Sequence, residues 1–268
     1  MALSVDLITI GVPQVEGASA FYSSAFSSTA TAADDGRTAG LDLNGTGRLG
    51  LQQIEALAAE SGANPATSGF RGYVLSSIVS QPAEVRALLD TAAAQGATVV
   101  KPAKKEMFGE FAAVYRSPDG AVWKLAAASK KDTDTVPDPP RPTETAVYLG
   151  VAKPKTSKVF YEALGMSVDR DYGDKFIDFT IADGVCRLGL LPRKALAKDA
   201  GVDENGDGFS ALVLTHTAAS RDGVDTLLAA VGPAGGRVTG AAAETGQGDY
   251  AGHFTDLDGY HWRVTARA

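Results

Sequence analysis

The sequence predicts an α+β protein in which one strand-and-helix module is written twice in tandem. Three observations predict it. The first is self-similarity at one offset of 139 residues: Phe21-Tyr22 returns as Phe160-Tyr161, Arg48 as Arg187, Gly69-Phe70 as Gly208-Phe209, Gly96 as Gly235, Gly109 as Gly248 and Trp123 as Trp262. A repeat of that length is domain-sized, and a short solenoid period is excluded. The second is the stretch Ser129–Glu144, SKKDTDTVPDPPRPTE, which is rich in proline and charge and reads as an extended, semi-stiff linker. The third is the alternation, inside each copy, of β-branched runs with aromatics at helical spacing. The boundaries follow: a first module over residues 1–128, a linker over 129–143 and a second module over 144–268.

Each element has its own justification. SVDLITIGV and TAVYLGV open the copies as strands, being rich in β-branched residues. VEGASAFYSSAF and KTSKVFYEALG then place Phe-Tyr on one face of an amphipathic helix. Short strands follow around Thr38–Leu43 and Arg48–Gln52, matched by Phe176–Ile181 and Cys186–Leu191, and a brief helix over IEALAAE or RKALAKD. GFRGYVLSSIV and GFSALVLTHTA are strands leading into second helices, AEVRALLDTAAAQG and DGVDTLLAAVGPAG. Two closing strands flank a tight turn at SPDG or DLDG. The order is βαβββ-type and recurs within each module, so each copy reads as a pair of half-modules.

Composition narrows the function classes. The 268 residues carry 25 basic and 32 acidic side chains, a net charge of −7, and no long basic block, so neither nucleic acid nor an anionic membrane surface is an expected partner. One cysteine, Cys186, leaves no internal disulfide and fits a reducing compartment. The first residues lack the pattern of a signal peptide and no apolar run reaches membrane-spanning length, so the expected location is the cytoplasm.

The run from the Gly-Val of the first strand to Phe-Tyr, the later helix with its closing glycine, and the final D-G-x-x-W together resemble the vicinal oxygen chelate superfamily, which includes glyoxalase I, extradiol dioxygenases and bleomycin-resistance proteins. The resemblance covers nearly the whole chain outside the linker, once per module. It implies paired βαβββ motifs that curl a mixed sheet around a cavity, twice. In metal-bearing relatives it also implies a ligand histidine on the first strand and a ligand glutamate on the last. Those positions fall here on Leu7 and Ala146, and on Lys124 and Arg263. Neither an aliphatic side chain nor a cation binds a divalent metal. No metal site and no cofactor are therefore expected.

Two readings of Lys124 and Arg263 stand side by side: a structural ion pair with Glu110 or Asp249, or a cation lining the cavity and holding a ligand. His261 lies two residues before Arg263 and shares its face of the strand, as a pocket histidine or a general base. Phe111 and Tyr250 are candidates for stacking on a planar ligand at the cavity mouth, with Met107 nearby. His216 is the one mid-module histidine in a strand, and it and His253 read more simply as structural. Arg48 and Arg187 read as solvated or salt-bridged, and Cys186 as a small core residue. The leading functional expectation is a metal-independent protein that binds a small organic ligand, anionic or aromatic, as a monomer or homodimer. A metal-independent lyase or isomerase using His261 with Arg263 is the alternative, and a scaffold with self-filled cavities is a third.

Overall fold

The structure, a computed structural model, describes residues 2–33, 35–105, 110–133, 135–182, 185–246 and 248–267. Met107 and Gly109 lie outside the described residues. The first repeat runs β1 (Leu7–Val12), α1 (Val15–Phe26), β2 (Thr31–Ala32), β3 (Thr38–Asp42), β4 (Arg48–Gln53), α2 (Ile54–Glu60), β5 (Thr67–Gly69), β6 (Tyr73–Val79), α3 (Pro82–Ala94), β7 (Thr98–Lys105), β8 (Phe111–Arg116) and β9 (Val122–Ala127). The second runs β10 (Glu144–Val151), α4 (Pro154–Ala163), β11 (Val168–Asp171), a 3-10 turn (Gly173–Lys175), β12 (Ile177–Phe179), β13 (Arg187–Pro192), α5 (Arg193–Ala200), β14 (Gly206–Gly208), β15 (Leu212–Thr217), α6 (Arg221–Ala234), β16 (Arg237–Glu244), β17 (Tyr250–Thr255) and β18 (His261–Ala266). With β7 and β16, which had no sequence signal, each repeat contains two βαβββ motifs.

The strands form two open, eight-stranded mixed sheets, ordered β16-β17-β18-β15-β1-β4-β3-β2 and β11-β12-β13-β10-β6-β9-β8-β7. Each sheet therefore joins the first motif of one repeat to the second motif of the other. The joints are antiparallel, β1 on β15 with Leu7 opposite Thr215, and β10 on β6 with Ala146 opposite Ser76. The sequence repeat is not the unit that closes a sheet. β5 and β14 form a small separate pair that also joins the repeats.

The repeats are tied together internally on the helix side of the sheets. Tyr22, on α1, donates to Asp119 at 2.8 Å and accepts from the Trp123 indole at 3.3 Å. Tyr161, on α4, repeats this with Asp256 at 2.6 Å and Trp262 at 3.4 Å. Both tryptophans are fully buried and stack on Tyr115 and Phe254, interactions worth about 0.5–1.5 kcal/mol each beyond the area they bury. The Phe-Tyr and Trp that announce the repeat are thus its core fastening. The expected turns are present, with Gly120 and Gly259 at φ +90° and +85°, a conformation that suits glycine.

The expected gapless alignment is off by one residue at a single strand. Gly50 of β4 and Gly189 of β13 keep the 139-residue offset, but Gly50 faces Gly40 whereas Gly189 faces Asp178. Gly40 therefore stands in the place of Asp178. Between β9 and β10 the described residues carry no regular element. Asp132 fastens that stretch to α3, accepting from the Ala83 amide and pairing with Arg86, each at 2.6 Å.

Candidate functional site

Alternation along a strand sends successive side chains to opposite faces. In the first sheet Ile8, Ile10, Trp262 and Val264 enter the main core, leaving Leu7, Thr9, His261 and Arg263 on the concave face. Strand register then sets one row across this face: Leu7 opposite Thr215, and Thr215 opposite Arg263. The matching row of the second sheet is Ala146, Ser76 and Lys124. The first-strand position thus meets the last-strand position of the other repeat: Leu7 shares its row with Arg263, and Ala146 shares its row with Lys124. Local pattern carries no information about which copy of a strand is the neighbour, and the cross-repeat joints decide it.

A cavity of about 750 Å³ opens on the first sheet, lined by Leu7, Thr9, Arg48, His253 and Arg263 among others, with Asp249 and Glu60 also on its walls. The second sheet holds one of about 490 Å³, lined by Ser76, Lys124, Tyr148, Phe176 and Leu196, with Glu110 and Asp199. Both volumes are in the range of small-molecule sites. The two cations differ sharply in company. Lys124, 13% exposed, is clamped by Glu110 at 2.9 Å and by Asp199 of α5 at 3.0 Å. Burial works against its charge, but Asp199 and Glu110 outweigh it and raise its pKa well above the ordinary lysine value. Arg263 has no ion pair and no side-chain hydrogen bond among the described residues, and its Nε is buried without a partner. Glu60, the counterpart of Asp199, accepts instead from Gln52 at 2.6 Å.

His253 stands directly opposite Arg263 in the β17–β18 ladder. Burial, and then the charge of Arg263, lower its pKa, so it is neutral at pH 7. From the sequence His253 read as structural. Its counterpart, Val114, gave no signal, and only the strand register reveals the pairing. His261 shares the concave face as expected, but lines an adjoining cleft of about 540 Å³ with Arg71, Arg193 and Tyr260, its ring edge-on to Phe209 at 5.5 Å between centroids. Burial, followed by the charges of His253 and Arg237, lowers its pKa as well.

The other sequence candidates lie elsewhere. Phe111 and Tyr250 point to the helix side: Arg86 of α3 lies over the Phe111 ring at 5.2 Å, Arg221 of α6 lies over Tyr250 at 5.5 Å, and the Tyr250 hydroxyl donates to Asp225 at 3.0 Å. One residue of parity separates them from Glu110 and Asp249, which do face the cavities. His216 also leaves the cavity face. It packs against the chain start, with Nδ1 2.9 Å from Ser4 Oγ and 3.4 Å from Asp6. Cys186 is buried against Gly47, and burial pushes its thiol up to about 12, so it is no thiolate at neutral pH.

Neither row offers the donors a divalent cation needs. Leu7, Thr215 and Arg263 supply an aliphatic group, a hydroxyl and a guanidinium, while Ala146, Ser76 and Lys124 supply a methyl, a hydroxyl and an ammonium. Among the described residues no cluster of three or more His, Cys, Asp or Glu side chains is arranged to hold a metal. The residues do not fit a metal.

Comparison with known proteins agrees with this architecture. Residues 4–125 match the family model of the Glyoxalase/Bleomycin resistance protein/Dioxygenase superfamily. The crystal structure of glyoxalase I from Zea mays is similar over 99% of this chain and 92% of its own, at 18% identity and a TM-score of 0.65. A Bacillus subtilis protein with a provisional dioxygenase name is similar over 99% of this chain and 85% of its own, at 14% identity and a TM-score of 0.66. At these identities the likeness is one of fold. No curated protein matches the chain by sequence.

Proposed function

We propose that this chain, which belongs to the glyoxalase/bleomycin resistance protein/dioxygenase superfamily, binds a small organic molecule in a sheet cavity without a metal. The observation that carries the reading is the cross-sheet row itself. Where a chelating site needs converging carboxylate and imidazole, each row ends in a cation, Arg263 or Lys124. A cation there takes over the task of a metal toward an electron-rich ligand: it attracts a carboxylate, phenolate or carbonyl oxygen, and the apolar walls hold the rest. The reading assigns the protein to the cytoplasm, as a monomer or homodimer with a small molecule as its partner; among the described residues no helix is long and apolar enough to cross a membrane.

A second reading, a metal-independent lyase or isomerase, is favoured by one observation: a neutral imidazole, His253, opposes Arg263 in the same cavity. There His253 takes a proton from a carbon or hydroxyl of the ligand and Arg263 stabilises the negative charge left behind. His253 fills that role better than His261, which lines the adjoining cleft.

Native mass spectrometry of the chain as purified tests the main reading. The expected spectrum holds no stoichiometric zinc, nickel, iron or manganese, before or after incubation with each ion. Stoichiometric metal lost on substitution of Leu7 or Arg263 would overturn it.

A further inference from the structure

The two cavities are counterparts by sequence and by fold, yet their charges are partnered in opposite ways. The basic side chains that line the second cavity, Lys124 and Arg170, and Arg187 on the same sheet are each paired with carboxylates. Lys124 has Glu110 and Asp199. Arg187, on the same concave face of β13, takes Glu144 at 2.7 and 3.0 Å and Asp169 at 2.8 Å, and lies 3.5 Å from Asp178. Asp178 is fully buried and also accepts from Arg170 at 2.8 Å. Around the first cavity the counterpart of Arg187 is Arg48, exposed at the rim and, like Arg263, without an ion pair among the described residues. The acids that hold Arg187 are gone. Val5 replaces Glu144, Ala30 replaces Asp169, and Gly40, by strand register, replaces Asp178.

We infer that the chain binds one ligand rather than two, that the ligand is an organic oxyanion, and that it sits in the first cavity under Arg263 and Arg48. The inference rests on the proposed binding function and deepens it. Two guanidiniums left unpaired in one concavity supply the forked donors that match a carboxylate or sulfonate. In the second cavity the same task is already performed by the protein's own carboxylates, so an incoming anion would have to break those pairs and meet their charge. Removing three acids around one arginine while keeping the arginine is what changes a structural ion-pair site into an anion site. Thr9 and His253 add polar groups to the wall and Leu7 supplies apolar contact. The two carboxylates on the wall pair with neither arginine: Glu60 is held by Gln52, and Asp249 makes no ion pair among the described residues.

The test is a fluorescence titration of the full chain with 8-anilinonaphthalene-1-sulfonate, beside N-phenyl-1-naphthylamine, which has the same aromatic body and no sulfonate. The expected result is one sulfonate site per chain, binding about tenfold or more tighter than the uncharged analogue, as charge-assisted hydrogen bonds allow. That preference is expected to vanish in Arg263→Met and to persist in Lys124→Met. Gly40→Asp supplies a variant that does not depend on removing a cavity residue. A Cβ at Gly40 meets nothing within 4 Å, so the carboxylate fits, pairs with Arg48 as Asp178 pairs with Arg187, and weakens sulfonate binding several-fold at unchanged near-ultraviolet circular dichroism. Two equal sites, or loss of binding in Lys124→Met alone, would overturn the one-cavity inference while leaving ligand binding intact. A sulfonate preference untouched by Gly40→Asp and Arg263→Met would overturn the site. No binding of either probe by the unaltered chain would overturn the binding function itself.

Discussion

The carboxyl of Asp256 is sealed in the core beside the Tyr161 hydroxyl that donates to it, and burial pushes its pKa up to about 7. Its counterpart in the first repeat is Ser117, so this acid titrates in one repeat only. The sign follows from linkage. The folded pKa lies above the ordinary value of 3.8, so the folded chain keeps a proton that the unfolded chain has released. The contribution is complete below about pH 4 and is lost as pH rises through about 7. Chemical denaturation across that range is expected to show stability falling with pH, and Asp256→Asn, which still accepts from Tyr161, is expected to flatten the fall. An unchanged slope in the variant would contradict this. Gly47 makes a second case. It has φ +148°, and a Cβ there would lie 2.2 Å from the Cys186 sulfur, its own counterpart in the other repeat. Gly47→Ala is expected to cost about 1–3 kcal/mol, read as a lowered Tm, because both backbone and thiol must shift.

At the scale of elements, the helices were the legible part of the sequence. VEGASAFYSSAF is α1 from end to end, because its apolar and aromatic spacing sets the buried stripe directly. β7 and β16 gave no such pattern. Both are mostly exposed and both slip register twice against their neighbours, so no strict two-residue alternation is written into them. Helix starts also vary: α3 and α4 open with proline, whereas α6 is capped by Ser220, whose hydroxyl accepts from the Gly223 amide at 3.2 Å. Ser220→Ala is expected to cost about 1 kcal/mol in a denaturant titration. Parity explains the mixed fate of the site candidates. Stepping by two from Arg263 placed His261 on the right face, but Phe111 and Tyr250 were read one residue out of phase with Glu110 and Asp249. The cations themselves were legible through the repeat. So was Glu110 as the partner of Lys124. Asp199 was not, since it reaches Lys124 from the other repeat, and Asp249 makes no ion pair with Arg263 among the described residues.

The whole molecule is interleaved: every large sheet needs strands from both repeats, while Tyr22–Trp123 and Tyr161–Trp262 hold each repeat together from behind. A chain cut in the linker, giving residues 1–133 and 134–268, is therefore expected to yield a 1:1 complex when the pieces are mixed, by size-exclusion chromatography. Two stable, separate monomers would contradict that. Interleaving also decides where a metal would have to sit, and hence what its replacement means. Calorimetric titration with Zn²⁺ compares the unaltered chain with a Leu7→His, Thr215→His, Arg263→Glu variant, which writes donors into the row across β1, β15 and β18. The predicted result is no binding to the unaltered chain and near-stoichiometric binding to the variant. Stoichiometric Zn²⁺ binding by the unaltered chain, abolished by Leu7→Ala or Arg263→Met, would contradict a cavity in which a cation of the protein stands where a metal would otherwise be held.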